Sequence, residues 1–487
     1  MVKNNKNKTY IITTAQACAT PNHQFLDSLE TLADKKSAEI IIQPVIGQGS
    51  NEDYLDMNNI DKRLQDYKIS IGNEKLNSNI ALSDIRPQPQ NMDPISSTQR
   101  FAQRGTSLII PSTKQRWQHI AHSNSKMPKA VITTGACTQP NYATDVETAA
   151  ERRRRGLIAK HDHEYGAIIV EVENGNKYHW RNIMGQVNGK LTDFGVEYDG
   201  KKTREVRPLA MACGDWHNGY GDFKVRKATL EMIMEFAPHN IALHDFFNGH
   251  SISHHMQREL IYQMIREGAD KGNLSLEKEL MMCGRELNII ADHAPSDCNI
   301  KVVQSNHLEF LDRYLDEGRF IKDPHNARIS FDLAALYADG VNPVEAGIEV
   351  ASILNGRGSK IEKKRRITEL YNPGRLKGGV IPQNVEFLKR ESDFKVNGYQ
   401  LANHGDTGPG GGYGSIKSKE NDFGKSLTGH VHKSEKIRNT FTLGCMIPLD
   451  TFYIKGNPVA WTHTHGMIYQ TGVQMMNIVD GRYKVRN

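Results

Sequence analysis

The chain has 487 residues, 24% charged and 38% hydrophobic, and its 62 Lys and Arg against 56 Asp and Glu leave a formal net charge of +6. This balance excludes a disordered or collagen-like chain, and no run approaches the roughly 20 apolar residues of a membrane helix. At about 100–200 residues per domain, the length predicts two to four domains.

In chain order, the first feature is an internal echo. Ile12-Thr13-Thr14-Ala15-Gln16-Ala17-Cys18-Ala19-Thr20-Pro21-Asn22 resembles Ile132-Thr133-Thr134-Gly135-Ala136-Cys137-Thr138-Gln139-Pro140-Asn141 with one residue deleted. Each copy is followed by a helix-like segment and then a strand-like run, 38–45 and 166–172, which predicts two related β-loop-α-β units. Residues 84–128 are polar and carry Pro, Gln and Ser, so they are expected to be a loop or connection. Strand-like stretches at 177–186 and 190–198 precede the turn Asp199-Gly200-Lys201-Lys202, a boundary between an N-terminal α/β region (1–203) and a second unit (204–487). From Arg204 onward, apolar runs alternate with helical patterns at 224–236, 256–268 and 276–290, which predicts an α/β domain. The span 310–398 is too long for a simple crossover and is expected to be an insertion.

Six cysteines without a CxxC pair fit reduced thiols and a cytoplasmic setting, and no secretory leader is expected. The 20 histidines are the unusual count, and fourteen lie after residue 205. Five polar clusters there each follow an apolar run: Gly214-Asp215-Trp216-His217, His244-Asp245-Phe246-Phe247-Asn248-Gly249, Ser305-Asn306-His307-Leu308-Glu309, Asn403-His404-Gly405-Asp406 and Gly429-His430-Val431-His432. Carboxyl ends of strands in an α/β sheet are where ligand groups gather. Carboxylate, imidazole and amide oxygen together suit Mn²⁺, Fe or Zn²⁺ rather than calcium or a structural zinc. Two such ions need several protein ligands and a bridging carboxylate, a number these clusters supply.

The ordered set of Gly-Asp-x-His, an Asp after an apolar run, Asn-His-x-Glu, a His, and Gly-His-x-His resembles the calcineurin-like metallophosphoesterase superfamily over about residues 205–487. The resemblance implies a β-sandwich flanked by helices and a two-metal site. Asp215, His217 and His432 would hold the first ion, Asp245 would bridge, and Asn306, His404 and His430 would complete the second. His307 would be the non-ligand histidine that protonates the leaving oxygen, after attack by a hydroxide formed between the metals. One departure is that His244 stands where many members carry Gly, and Asn248-Gly249 replaces Asp-Arg, which argues against the protein Ser/Thr phosphatase branch.

His244, Asn248 and His250 are expected to support the ligands or touch substrate, as are His463 and His465 if an alternating strand turns both to one side. Gly405, Gly408, Gly410, Gly411, Gly412 and Gly414 form either a phosphate-approaching loop or a connector. The basic runs Arg152-Arg153-Arg154-Arg155 and Lys363-Lys364-Arg365-Arg366 are solvated helix faces or tracks for a nucleic-acid backbone. Trp216, Phe246 and Phe247 are core residues by default, with base stacking as the alternative. The Thr-Thr strand start, the His-Asp-x-x-Asn-Gly motif and the Trp-x-His-x-His tail also resemble a group of phage-encoded proteins similar to the pre-early host-DNA-degrading nuclease of T-five-like bacteriophages. That resemblance implies a Mn²⁺-dependent DNase with DNA as substrate, acting in the bacterial cytoplasm as a homo-oligomer and not at a membrane. Mg²⁺ is a further candidate metal. A small-molecule phosphatase or phosphodiesterase, and a non-catalytic DNA-binding phage protein, stay open as alternatives.

Overall fold

The computed structural model describes residues 7–50, 55–102, 105–122, 127–144, 150–253, 274–370, 379–408, 415–451 and 457–485. It is a mixed α/β arrangement. A six-stranded sheet runs in the order Val385–Phe387, Asn299–Val302, Asn240–Leu243, Ala210–Cys213, Thr464–Tyr469, Gly472–Asn477. Its first four strands are parallel and its last two antiparallel. The parallel strands read as short apolar runs because both faces are covered. Met211, Cys213, Ile241 and Leu243 pack against helices that include Phe223–Phe236 and Leu276–His293. The alternate residues Ala210, Ala212 and Ala242 face a second core built with Leu427, Phe441 and Leu443 of a ten-stranded sheet. Period-two alternation thus sorts each strand between a helical layer and a second sheet.

Strand pairing crosses the boundary expected at 203. The ten-stranded sheet joins Arg116–Ile120 to Glu435–Ile437 in antiparallel register, so residues from both sides of the boundary share one sheet. This also corrects the expectation of a loop over 84–128, which contains the helix Gln99–Ala102 and the strands Ser107–Ile110 and Arg116–Ile120. The polar letters misled because their partners are remote in sequence. Arg116 donates to Glu435 Oε1 at 2.7 Å and to the Lys436 carbonyl at 2.8 Å, while Lys436 Nζ donates to Glu164 Oε1 at 2.7 Å. Trp117 between them is fully buried.

The two echo segments are not two equivalent units. Lys8–Gln16 pairs in parallel with Ala38–Val45, as a β-loop-α-β unit should. Lys129–Thr133 instead lies in the ten-stranded sheet, and Gly166–Val172 pairs antiparallel with Lys8–Gln16. The echoed threonines meet each other, with Thr14 Oγ1 and Thr134 Oγ1 2.7 Å apart. Within 310–398, the helices Ala327–Ala338 and Pro343–Asn355 bury apolar faces in the helical core, and Val385–Phe387 forms the edge of the six-stranded sheet. The helix expected at 256–268 lies outside the described residues.

Candidate metal centre

Asp215 and His217 follow the strand Ala210–Cys213, Asp245 follows Asn240–Leu243, and Asn306 and His307 follow Asn299–Val302. From the other sheet, His404 follows Tyr399–Gln400, and His430 and His432 follow Ser426–Thr428. Backbone hydrogen bonds lock these turns together: His217 N–H donates to the Asp245 carbonyl at 2.8 Å, and Trp216 N–H to the His244 carbonyl at 2.9 Å.

Four candidate ligands converge most tightly. One donor atom each from Asp215, His217, Asp245 and His432 lies within 4.8 Å of the others, and the cluster is largely buried. His432 Nε2 is 3.1 Å from Asp215 Oδ2 and 3.1 Å from His217 Nε2, a spacing of nitrogens that suits a shared ion better than a direct contact. His404 Nε2 lies 3.1 Å from Asp245 Oδ2, and His430 Nδ1 lies 3.2 Å from Asn306 Oδ1. Of the expected second group, His404 therefore borders Asp245, and His430 and Asn306 border each other.

Asp215 Oδ1 and Asp245 Oδ1 are buried without hydrogen-bond partners. A buried, unpaired carboxylate oxygen is costly unless a cation meets it, so the donor set fits one or more divalent ions. Burial by itself raises both carboxyls. The charge of His404, followed by that of His432 for Asp215 and His307 for Asp245, outweighs it and holds both below the ordinary carboxylate range. Burial also pushes His217 and His244 down to about 3, which keeps both imidazoles neutral. Ionised carboxylate and neutral imidazole are the forms that bind metal; His404, buried beside Asp245 and Asp215, and His432 are instead raised, so a metal ion at those two would take the place of a proton.

The backbone is strained here as well. His217, Asp245, His430 and His432 have φ of 45°, 43°, 73° and 55°. Non-glycine residues seldom adopt that region, and such outliers gather at functional sites.

Asn248 serves two histidines at once. Its Oδ1 is 3.1 Å from His217 Nδ1, and its carbonyl is 2.7 Å from His307 Nδ1. Both Nδ1 atoms are therefore donors, and His217 Nε2 lies at the cluster, 3.8 Å from Asp245 Oδ2. The ring centroids of His217 and His307 are 4.6 Å apart. His244 is fully buried with its ring 5.6 Å from that of His404.

This chain is similar to a bacteriophage protein. It is 24% identical to Protein A1 of Escherichia phage T5 over 515 aligned residues, which span 98% of this chain and 83% of that protein. No family model and no solved structure matches it. The similarity therefore runs over nearly the whole chain.

Other residues singled out in the sequence have defined surroundings. His465 is fully buried: Gly214 N–H donates to its Nδ1 at 2.9 Å, and its Nε2 lies 2.8 Å from Thr229 Oγ1. Burial holds it neutral, down to about 3. It anchors the turn before Asp215. His463 precedes the strand Thr464–Tyr469, so alternation does not align the two rings, and its Nε2 donates to the Ile447 carbonyl at 2.9 Å. His250 is buried against Tyr220, its ring 5.0 Å away, and its backbone N–H is taken by Glu279. Trp216, Phe246 and Phe247 are core residues, at 2%, 0% and 0% exposure, and cannot stack on a base. Arg152, Arg153, Arg154 and Arg155 lie on an exposed helix face where Glu151 pairs with Arg154 and Arg155, and Lys364, Arg365 and Arg366 are exposed too. Of the glycine run, Gly410, Gly411, Gly412 and Gly414 lie outside the described residues.

Two features of the site were not foreseen. Gly429 is one, packed so closely on Asp215 that a side chain would not fit. The other is Trp461 at the rim, which the Trp-x-His-x-His pattern contained but which the histidines overshadowed.

Proposed function

We propose that this chain is a metal-dependent phosphodiesterase that cleaves DNA. Asp215, His217 and His432 would hold one divalent ion, Asp245 would be shared, and Asn306, His404 and His430 would hold a second. The observation that carries this reading is the convergence of Asp215, His217, Asp245 and His432 from three strand ends onto a buried cluster with two unpaired carboxylate oxygens. When bound, divalent ions, Mn²⁺ foremost among Fe, Zn²⁺ and Mg²⁺, acidify water and offset charge on phosphoryl oxygens.

The chain's own groups supply orientation and a proton. The Asn248 carbonyl engages His307 Nδ1, so in the doubly protonated imidazolium Nε2–H is the group that would give a proton to the departing oxygen, leaving the neutral ring. The Asn248 side chain fixes His217 in the tautomer that offers Nε2 to the cluster. No side-chain nucleophile is needed. The similarity to a phage protein supports a phage origin, and DNA as substrate and action in the bacterial cytoplasm are proposed with it.

The test offers the protein and its His307→Ala variant linear duplex, circular duplex and single-stranded DNA, and a chromogenic phosphodiester, with Mn²⁺, Mg²⁺, Zn²⁺ or chelator. The expected result is Mn²⁺-stimulated DNA cleavage that His307→Ala lowers by about 10²–10⁴-fold. Hydrolysis of the small ester alone would replace the DNA reading with a small-molecule phosphodiesterase.

A further inference from the structure

We infer that Trp461 is a stacking platform for an unpaired base beside the metal centre, which makes single-stranded DNA, or an opened duplex end, the substrate form. The inference rests on the DNA-cleaving reading above.

Among the described residues, the least buried side of the cluster is the one that His432 lines. The Asp215, Asp245 and His217 side chains keep 0%, 2% and 5% of their surface exposed, whereas His432 keeps 13%. Asn306, His307 and His430 are likewise half-buried. A substrate phosphate therefore reaches the carboxylates past these four residues.

Trp461 stands at this opening. Its ring centroid is 4.7 Å from that of His432, with the planes at 69°. The chain has four tryptophans. Trp117, Trp180 and Trp216 are buried at 0%, 6% and 2%, and only Trp461 is half-buried. Its placement is firm. The next residue, Thr462, donates its N–H to the His432 carbonyl at 2.9 Å, and the indole packs with Tyr220 on Cys445, Ile447 and Leu449. Tyr220 is itself tied to the other ligand, its N–H donating to the His217 carbonyl at 2.9 Å.

An indole held rigidly on one side and left partly in solvent on the other, next to a metal ligand, is suited to accept a flat ring. Every base has a π-face, so stacking of this kind is tolerant of sequence. Within a duplex both faces of a base are already stacked, so only an unpaired or unstacked base can use the platform.

The readout follows from the burial pattern, since Trp461 is the tryptophan that a ligand can reach. In the His307→Ala background with Mn²⁺, a short oligothymidylate is expected to quench tryptophan fluorescence saturably, and a blunt duplex of equal length much less. Adding Trp461→Ala should weaken oligothymidylate binding, followed by anisotropy, about 10–100-fold, and Trp461→Phe should recover most of it. In the otherwise unaltered protein, Trp461→Ala should act on KM more than on kcat. It should also lower kcat/KM on single-stranded DNA at least tenfold more than on the chromogenic diester. Equal losses on the two substrates would mean that the ring only props His432, and equal quenching by duplex would remove the strand preference; either overturns the inference. DNA cleavage that is indifferent to Trp461 overturns it while leaving the proposed function standing. Quenching that needs Trp461 in a protein that does not cleave DNA supports the platform and removes the proposed function.

Discussion

Gly429 stands directly against Asp215: a Cβ on residue 429 would lie 2.0 Å from Asp215 Oδ1. The carboxylate can occupy its place only because residue 429 has no side chain. Its other oxygen, Oδ2, accepts the His430 N–H at 2.7 Å, so the Gly-His-x-His loop shapes the ligand from two directions. Gly429→Ala should therefore displace Asp215 and weaken Mn²⁺ binding at least tenfold by calorimetry. Overpacking should also cost about 1–3 kcal/mol of stability.

The left-handed backbone at His430 makes a separate prediction. At φ 73°, a residue with a Cβ carries strain of about 1–3 kcal/mol that glycine does not. His430→Gly and His430→Ala should lose metal-dependent cleavage alike, because both lack the imidazole. The glycine variant should nevertheless be the more stable by about 1 kcal/mol in urea unfolding. Equal stabilities would show that the loop relaxes once the histidine is removed.

Acid stability should report on a buried cluster away from the metal centre. Arg181 donates to Asp193 Oδ2 at 2.9 Å and to Glu171 Oε1 at 2.9 Å, and Gln474 on the six-stranded sheet donates to Asp193 Oδ1 at 2.9 Å. Burial alone raises the Asp193 carboxyl, but Arg181 outweighs it and holds it below the ordinary range. A depressed folded-state pKa gives stability that is present above the unfolded value and lost as pH falls through the folded one. Asp193→Asn should thus cost about 3 kcal/mol at pH 7, and the gap to the unaltered protein should narrow below about pH 4. A gap that stays constant across that range would contradict the ion-pair account.

What could be read from the sequence depended on where each residue's partners lie. The strands Ala38–Val45 and Gly166–Val172 coincide with the expected 38–45 and 166–172 because a buried strand in this fold is a continuous apolar run. Arg116–Ile120 was unreadable because its charges are met by Glu435 and the Lys436 carbonyl, more than 300 residues away. The candidate ligands were legible as polar clusters at strand ends, and the fold brings them to one place. Which of the two roles expected of His465 applies could not be read from the sequence, because its polarity is used on Gly214 and Thr229 and nothing local distinguishes such a histidine from one that faces substrate. The Gly429 contact and the strained φ values exist only once the two sheets are packed.

The central claim is that the Asp215–Asp245 cluster uses divalent metal to cleave DNA, and one measurement bears on it most directly. Protein stripped with chelator is incubated with linear DNA, with and without added Mn²⁺, beside an Asp245→Asn variant whose folding is verified by circular dichroism. The account predicts no cleavage in chelator, restoration by Mn²⁺, and no restoration in the folded variant. Cleavage that persists in chelator, or that Asp245→Asn leaves intact, would contradict it.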